Sequence, residues 1–116
     1  MSEKNYTDEL IRVRYGETDK MGHAYYASYL FWFEQARGAW FRNRGTPYKK
    51  IEEEMGYMLP AVEVHVEYKH EILYDEVLIV RVWISEIKRS SMKFEYEIYN
   101  ADSWKLCTKG YSWHVL

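Results

Sequence analysis

Tyr26-Ala27-Ser28-Tyr29-Leu30-Phe31-Trp32-Phe33-Glu34-Gln35-Ala36-Arg37-Gly38-Ala39-Trp40-Phe41-Arg42-Asn43-Arg44 is the stretch whose reading decides the fold. Tyr26, Leu30, Phe33, Arg37, Trp40 and Phe41 recur at spacings of three and four, as on one side of an α-helix. The opposite side is hardly polar, because Phe31, Trp32, Ala36 and Ala39 fall off that stripe. A helix that is apolar around most of its circumference is enclosed, so something must wrap it.

The flanking segments supply the wrapping. Upstream, residues 9–17 set Leu10, Arg12 and Arg14 against Ile11, Val13 and Tyr15, the two-residue period of a strand with one face toward a core. Downstream, Gly45 stops the helix, and Thr46-Pro47 reads as the N-cap and first position of a short second helix running to Met55, closed by Gly56. From there the pattern is strand. Val62, Val64, Val66 and Tyr68 alternate with polar residues, as do Met92, Phe94, Tyr96 and Ile98, so both segments are expected half buried. Val77 to Ile84 is apolar on both faces, and Trp104 to Val115 forms a last strand after the Asn100-Ala101-Asp102 turn. The order of elements gives an α+β fold, an antiparallel five-stranded sheet wrapped around a long central helix.

Composition bounds the function. A chain of 116 residues makes one domain, 1–116, with no linker or repeat. Five Trp and twelve Tyr are more flat side chains than one small interior hides, so some should bury against further copies of the chain. Sixteen Lys and Arg against eighteen Asp and Glu leave a net charge of −2, without the basic excess that holds nucleic acid. The only cysteine, Cys107, excludes an intrachain disulfide and reads as a packed small hydrophobe in a reducing compartment. Residues 1–8 lack the basic start and apolar stretch of a signal peptide, and no run approaches about 18 apolar residues; a cytoplasmic protein without membrane insertion is expected. His65, His70 and His114 show no metal-ligand spacing.

Between the first strand and the helix lies Gly16-Glu17-Thr18-Asp19-Lys20-Met21-Gly22-His23, a loop with two glycines and short polar residues. On its own, Asp19 reads as a turn residue or a helix-leading acid. Glu17 reads as a solvated acid, and Glu34 with Arg37 as an ion pair on the helix. Lys88-Arg89-Ser90-Ser91, with Lys93 beyond, places cations and hydroxyls at a hairpin, which suits either a solvated turn or the grip of a phosphate.

The run from Tyr15 to Leu30, with its Thr18-Asp19-x-x-Gly22 spacing and the following Trp32-Phe33-Glu34 and Ala36-Arg37, resembles the opening of the hotdog thioesterases. It is similar in particular to the branch of 4-hydroxybenzoyl-CoA thioesterase and the Tol-Pal-associated acyl-CoA thioesterases, over nearly the whole chain. The resemblance implies a hotdog fold and hydrolysis of an acyl-CoA thioester without metal or organic cofactor. It implies Asp19 as nucleophile or general base and the backbone N–H of Tyr26 as oxyanion donor. A carboxylate just upstream of a helix suits that chemistry, since the helix start offers unpaired N–H groups to a developing oxyanion. Tyr26 stands where the Tol-Pal-associated branch usually has histidine, and His23 falls on an aliphatic position, which leaves it as a pocket-lining residue. Gly22, His23, Tyr25 and Tyr29 are then expected around the acyl group, with Phe33 in the core. Lys88, Arg89, Ser90 and Ser91 are expected near the CoA nucleotide, and side-by-side dimers pair again into tetramers. Two other readings are a non-catalytic acyl-binding protein and a hotdog dehydratase or hydratase; the latter lacks its His-Phe-Pro and Asp-x-Asn-Pro-x-His segments here.

Overall fold

The structure is a computed structural model and describes residues 5–45 and 60–115. Strand β1 (Tyr6–Arg12) precedes helix α1 (Ser28–Asn43), which is followed by β2 (Ala61–Tyr68), β3 (Val77–Ile87), β4 (Ser91–Asn100) and β5 (Leu106–Val115). The strands form one antiparallel sheet in the order β1-β3-β4-β5-β2, with α1 across one face. This is the α+β arrangement expected. The short helix expected after Thr46 lies outside the described residues. Among the described residues no helix is long and apolar enough to cross a membrane.

The strand apolar on both faces takes a central place. Leu78, Val80 and Val82 of β3 are fully buried, and Ile79 on the opposite face is nearly so. Across the register, Ile98 faces Val80 and Tyr96 faces Val82, so β4 continues the buried row beneath the helix. The turn into β5 is held by Asn100, whose Oδ1 accepts the N–H groups of Asp102 and Ser103 at 2.9 and 3.0 Å.

Three expectations are corrected. The first strand ends at Arg12, and Tyr15–Glu17 is a 3₁₀ turn that leaves Tyr15 exposed. Its cause is the Glu17 carboxylate, which accepts the Arg14 N–H at 2.8 Å and draws the chain out of its extended path. The helix is also rotated from the stripe read in the sequence. Tyr29, Trp32, Phe33, Ala36, Ala39 and Phe41 are buried, whereas Tyr26, Leu30 and Phe31 remain exposed, so one chain covers only one side of α1. Finally, β2 is an edge strand, and its expected half-burial gives way to exposed Val62, Val64 and Tyr68.

The depth of the helix is set at Gly110. A Cβ there would sit 2.6 Å from the His65 carbonyl oxygen and 2.9 Å from the Phe33 ring. Phe33 lies flat on Tyr96, the register partner of Gly110, with ring centroids 4.0 Å apart. Because one contact is with main chain, no side-chain rotation relieves it. Gly110→Ala is expected to destabilise the fold by about 1–3 kcal/mol, read as a lower urea midpoint at unchanged denaturant slope.

Candidate active site

Asp19 stands at the base of a tight hairpin. Thr18 and Ala24 bridge in antiparallel fashion, the Asp19 N–H donates to the His23 carbonyl at 2.8 Å, and the Gly22 N–H donates to the Asp19 carbonyl at 3.1 Å. Gly22 takes φ +79°, the left-handed conformation that glycine adopts without steric cost. Main-chain bonds pin the hairpin to the segment before β3: Ala24 N–H donates to Ile72, and Tyr74 N–H to Gly22. The exposed Asp19 carboxylate accepts the N–H groups of Met21 and His23 at Oδ1, at 2.8 and 3.2 Å. Among the described residues no donor reaches Oδ2.

The helix start lies directly downstream. Its N-cap residue, Ala27, has no side chain able to close the first turn. Ser28 N–H donates to Tyr25 and Leu30 N–H to Ala27, while the Tyr26 N–H meets no acceptor among the described residues. The Tyr26 carbonyl accepts the Tyr68 hydroxyl at 3.2 Å, which ties this turn to β2.

Glu17 is not the solvated acid expected. It is buried, and its carboxylate accepts the Arg14 N–H at 2.8 Å, the Arg14 guanidinium at 3.3 Å and the Trp32 indole N–H at 3.0 Å. Its carbonyl accepts the Tyr25 N–H at 2.8 Å and the Ser28 hydroxyl at 3.0 Å. Sequence reading missed this strut, since its partner Trp32 lies a whole loop away.

The expected pocket residues do not all converge. His23 sets Nε2 3.0 Å from Glu71 Oε2, and Tyr25 exposes its ring beside that of Tyr26. Tyr29 is only 4% exposed, packed between Trp32 and edge-on to Tyr68, and belongs to the core as Phe33 does. Among the described residues, two cavities open along the exposed side of α1. One, of about 450 Å³, is lined by Arg14, Gly16, Glu17, Ser28 and Phe31. The other, of about 290 Å³, starts at Ala27 and is mostly apolar, with Leu30, Phe31, Phe33 and Val64 among its walls.

Ser112, Arg37 and Glu34 also border that second cavity. Arg37 does not pair with Glu34 as expected; it donates to the Tyr96 hydroxyl at 2.9 Å. The Tyr96 hydroxyl, which accepts from the Arg37 guanidinium, also shares a hydrogen bond with Ser112 Oγ, 2.6 Å away, in which either hydroxyl can donate. Ser112 Oγ lies 2.8 Å from His114 Nε2, completing a buried polar chain under the helix. Burial pushes the Tyr96 phenol up despite the opposing pull of Arg37 and Ser112. Burial likewise pushes Tyr29 up to about 12, helped by neighbouring Tyr68 and Cys107.

Lys88, Arg89, Ser90 and Ser91 form the hairpin from β3 to β4, closed by the Lys88 N–H on the Ser91 carbonyl at 2.8 Å. They sit at the far end of β3 from the Asp19 hairpin, roughly 30 Å along the strand. One chain therefore does not bring them to Asp19. Among the described residues no cluster of three or more His, Cys, Asp or Glu could hold a metal ion.

Comparison with known proteins adds one family match and three individual likenesses. Residues 13–116 match the model of the thioesterase-like superfamily. YneP of Bacillus subtilis (strain 168), whose name gives it a provisional acyl-CoA thioesterase activity, is 36% identical over 105 residues, spanning 90% of this chain and 75% of that protein. The acyl-CoA thioesterase YbgC of Haemophilus influenzae is 30% identical over 88 residues, spanning 76% of this chain and 65% of that protein. The crystal structure of DHNA-CoA thioesterase from Staphylococcus aureus superposes with a TM-score of 0.89 at 34% identity, covering 95% of this chain and 72% of that one.

The folded chain holds the Tyr29 proton more tightly than the unfolded chain does. A phenol that holds its proton more tightly when folded contributes stability below its ordinary value of 10.0 and loses it as pH climbs toward about 12. Urea midpoints measured at pH 9 and 11 are expected to fall less in Tyr29→Phe than in wild type.

Proposed function

The chain belongs to the thioesterase-like superfamily, and on that premise we propose that it hydrolyses an acyl-CoA to the free acid and CoA. The observation that carries this reading is the pairing of Asp19 with an uncapped helix start. One carboxylate oxygen is tied down by two main-chain N–H groups, while among the described residues the other meets no donor and the Tyr26 N–H, on the same short segment, meets no acceptor. That arrangement suits attack on a thioester carbonyl. Asp19 acts either on the carbon itself, through an acyl-enzyme anhydride that water then opens, or by taking a proton from the attacking water. The carbonyl oxygen gains charge facing the Tyr26 N–H, and the tetrahedral centre collapses by expelling the CoA thiolate, which is then protonated.

The acyl group has a natural place in the apolar cavity that begins at Ala27, the residue after Tyr26. Gly22 and His23 serve by shaping the hairpin, and Tyr25 follows on the segment that joins it to the helix start. The CoA-binding role of Lys88, Arg89, Ser90 and Ser91 requires a second subunit, because those residues lie too far from Asp19 in their own chain for one CoA to span comfortably. Exposed Leu30, Phe31, Val62 and Val64 beside an open sheet edge support such an assembly, with β2 of one copy against β2 of the next and pairs joining into tetramers.

Two experiments test the proposal. Thiol release from acetyl-, octanoyl-, palmitoyl- and benzoyl-CoA is expected from wild type, falling about 10²–10⁴-fold in Asp19→Asn. The amide oxygen still accepts the Met21 and His23 N–H groups, so the fold should survive; hydrolysis at the wild-type rate would remove Asp19 from the chemistry. For the assembly, Val62→Lys puts a charge on the exposed edge, and light scattering is expected to show wild-type oligomers replaced by monomers. Unchanged mass would move the interface elsewhere.

A further inference from the structure

Glu17 stands two residues before Asp19 and has no step in the proposed hydrolysis, yet its carboxylate is buried, 8% exposed. A charge withdrawn from water is costly unless hydrogen-bonded, and both oxygens of this one are. Its two oxygens take the Arg14 N–H, the Arg14 guanidinium and the Trp32 indole N–H. Its own carbonyl takes the Tyr25 N–H and the Ser28 hydroxyl. Every one of those partners belongs either to the segment leading into Asp19 or to the segment carrying Tyr26 and the first turns of α1. Were stability alone at stake, an apolar side chain of similar volume would serve as well at this position. Apolar contact, however, has no direction. Hydrogen bonds from a carboxylate fix both distance and angle.

We propose that Glu17 is a positioning residue for the hydrolysis, holding the Asp19 hairpin and the Tyr26 N–H at their working separation by bracing both against Trp32. The inference rests on the thioesterase reading above. Asp19 reaches the reacting carbon from the hairpin, and the oxyanion donor comes from the helix start; the two segments meet at Glu17. A shift of about 1 Å between such groups can cost on the order of 10²-fold in rate without loosening substrate binding.

The test compares wild type, Glu17→Gln, Trp32→Phe and the double variant on whichever of the four acyl-CoAs wild type hydrolyses best. In Glu17→Gln either orientation of the amide turns an N–H toward another N–H, at Arg14 or at Trp32. The expected result is a kcat lowered about 10–100-fold with KM changed less than about 3-fold, in protein that still unfolds cooperatively. Removing the indole N–H relieves that clash, so the double variant should recover part of the lost kcat even though it has lost a core contact. A merely structural residue would behave otherwise: stability losses would accumulate in the double variant and kcat would not recover. That pattern, or a Glu17→Gln kcat within about 2-fold of wild type, overturns the proposal. Should Glu17→Gln fail to fold, Trp32→Phe alone decides, since it must lower kcat at constant KM; unchanged kcat overturns the proposal. Asp19→Asn in the same assay separates the two claims. Hydrolysis absent from wild type removes the reaction itself, and hydrolysis at the wild-type rate in Asp19→Asn removes Asp19 from it; hydrolysis lost there but normal in Glu17→Gln removes only the positioning role.

Discussion

The contact on which the rest of the molecule hangs is the Phe33 ring seated over Gly110. Where any other residue would thrust a Cβ into the ring and the His65 carbonyl, glycine leaves a notch, and the helix settles into it flat against Tyr96. Each residue of an α-helix advances its side chain by about 100°. Fixing Phe33 inward therefore fixes its neighbours: Trp32 also turns in, toward Glu17, while Leu30 and Phe31 turn out. Both the strut behind the proposed site and the apolar wall in front of it follow from the orientation chosen at one glycine.

The interior this creates is uneven. Beneath the helix, β3 offers Leu78, Val80 and Val82, whereas the equivalent row of β5 is Thr108, Gly110, Ser112 and His114. The first half is held by non-directional burial, the second by a chain of hydrogen bonds running from Arg37 through Tyr96 and Ser112 to His114. Thr108 keeps its hydroxyl buried without a hydrogen-bond partner among the described residues. Both cavities are thus bordered by directional bonding, one by the Glu17 cluster and the other by the Arg37 chain.

How much of this the sequence disclosed depends on the range of each interaction. The strands β3 and β4 were legible because a two-residue period, or apolar character on both faces, is local. The end of β1 was not, since a side chain bonding to the backbone three residues back overrides the alternation there. Nor was the rotation of α1: a helix apolar nearly all round gives no preferred face, and the residue that chooses one, Gly110, is far away in the chain. Asp19 looked like an ordinary turn residue, and in geometry it is one; only the resemblance gave its turn a chemical reading. Glu17 was seen as an acid but not as a buried one, because its partner Trp32 is fifteen residues on. The hairpin Lys88 to Ser91 could be located but not related to Asp19, as sequence spacing says nothing of which end of a sheet each occupies.

The smaller cavity has walls of a different standing from its frame. Hairpin and helix start are fixed largely by main-chain bonds, which survive most side-chain replacements, while Leu30, Phe31 and Val64 line the space with side chains that a single chain leaves exposed. Within a single chain, exchanges at such positions typically move folding free energy by no more than about half a kcal/mol. A lineage can therefore reshape the space one wall at a time, passing through intermediates that all fold. If the proposed acyl site lies here, a change in the group it accepts needs no change of scaffold, only drift at a few positions around an unmoved frame.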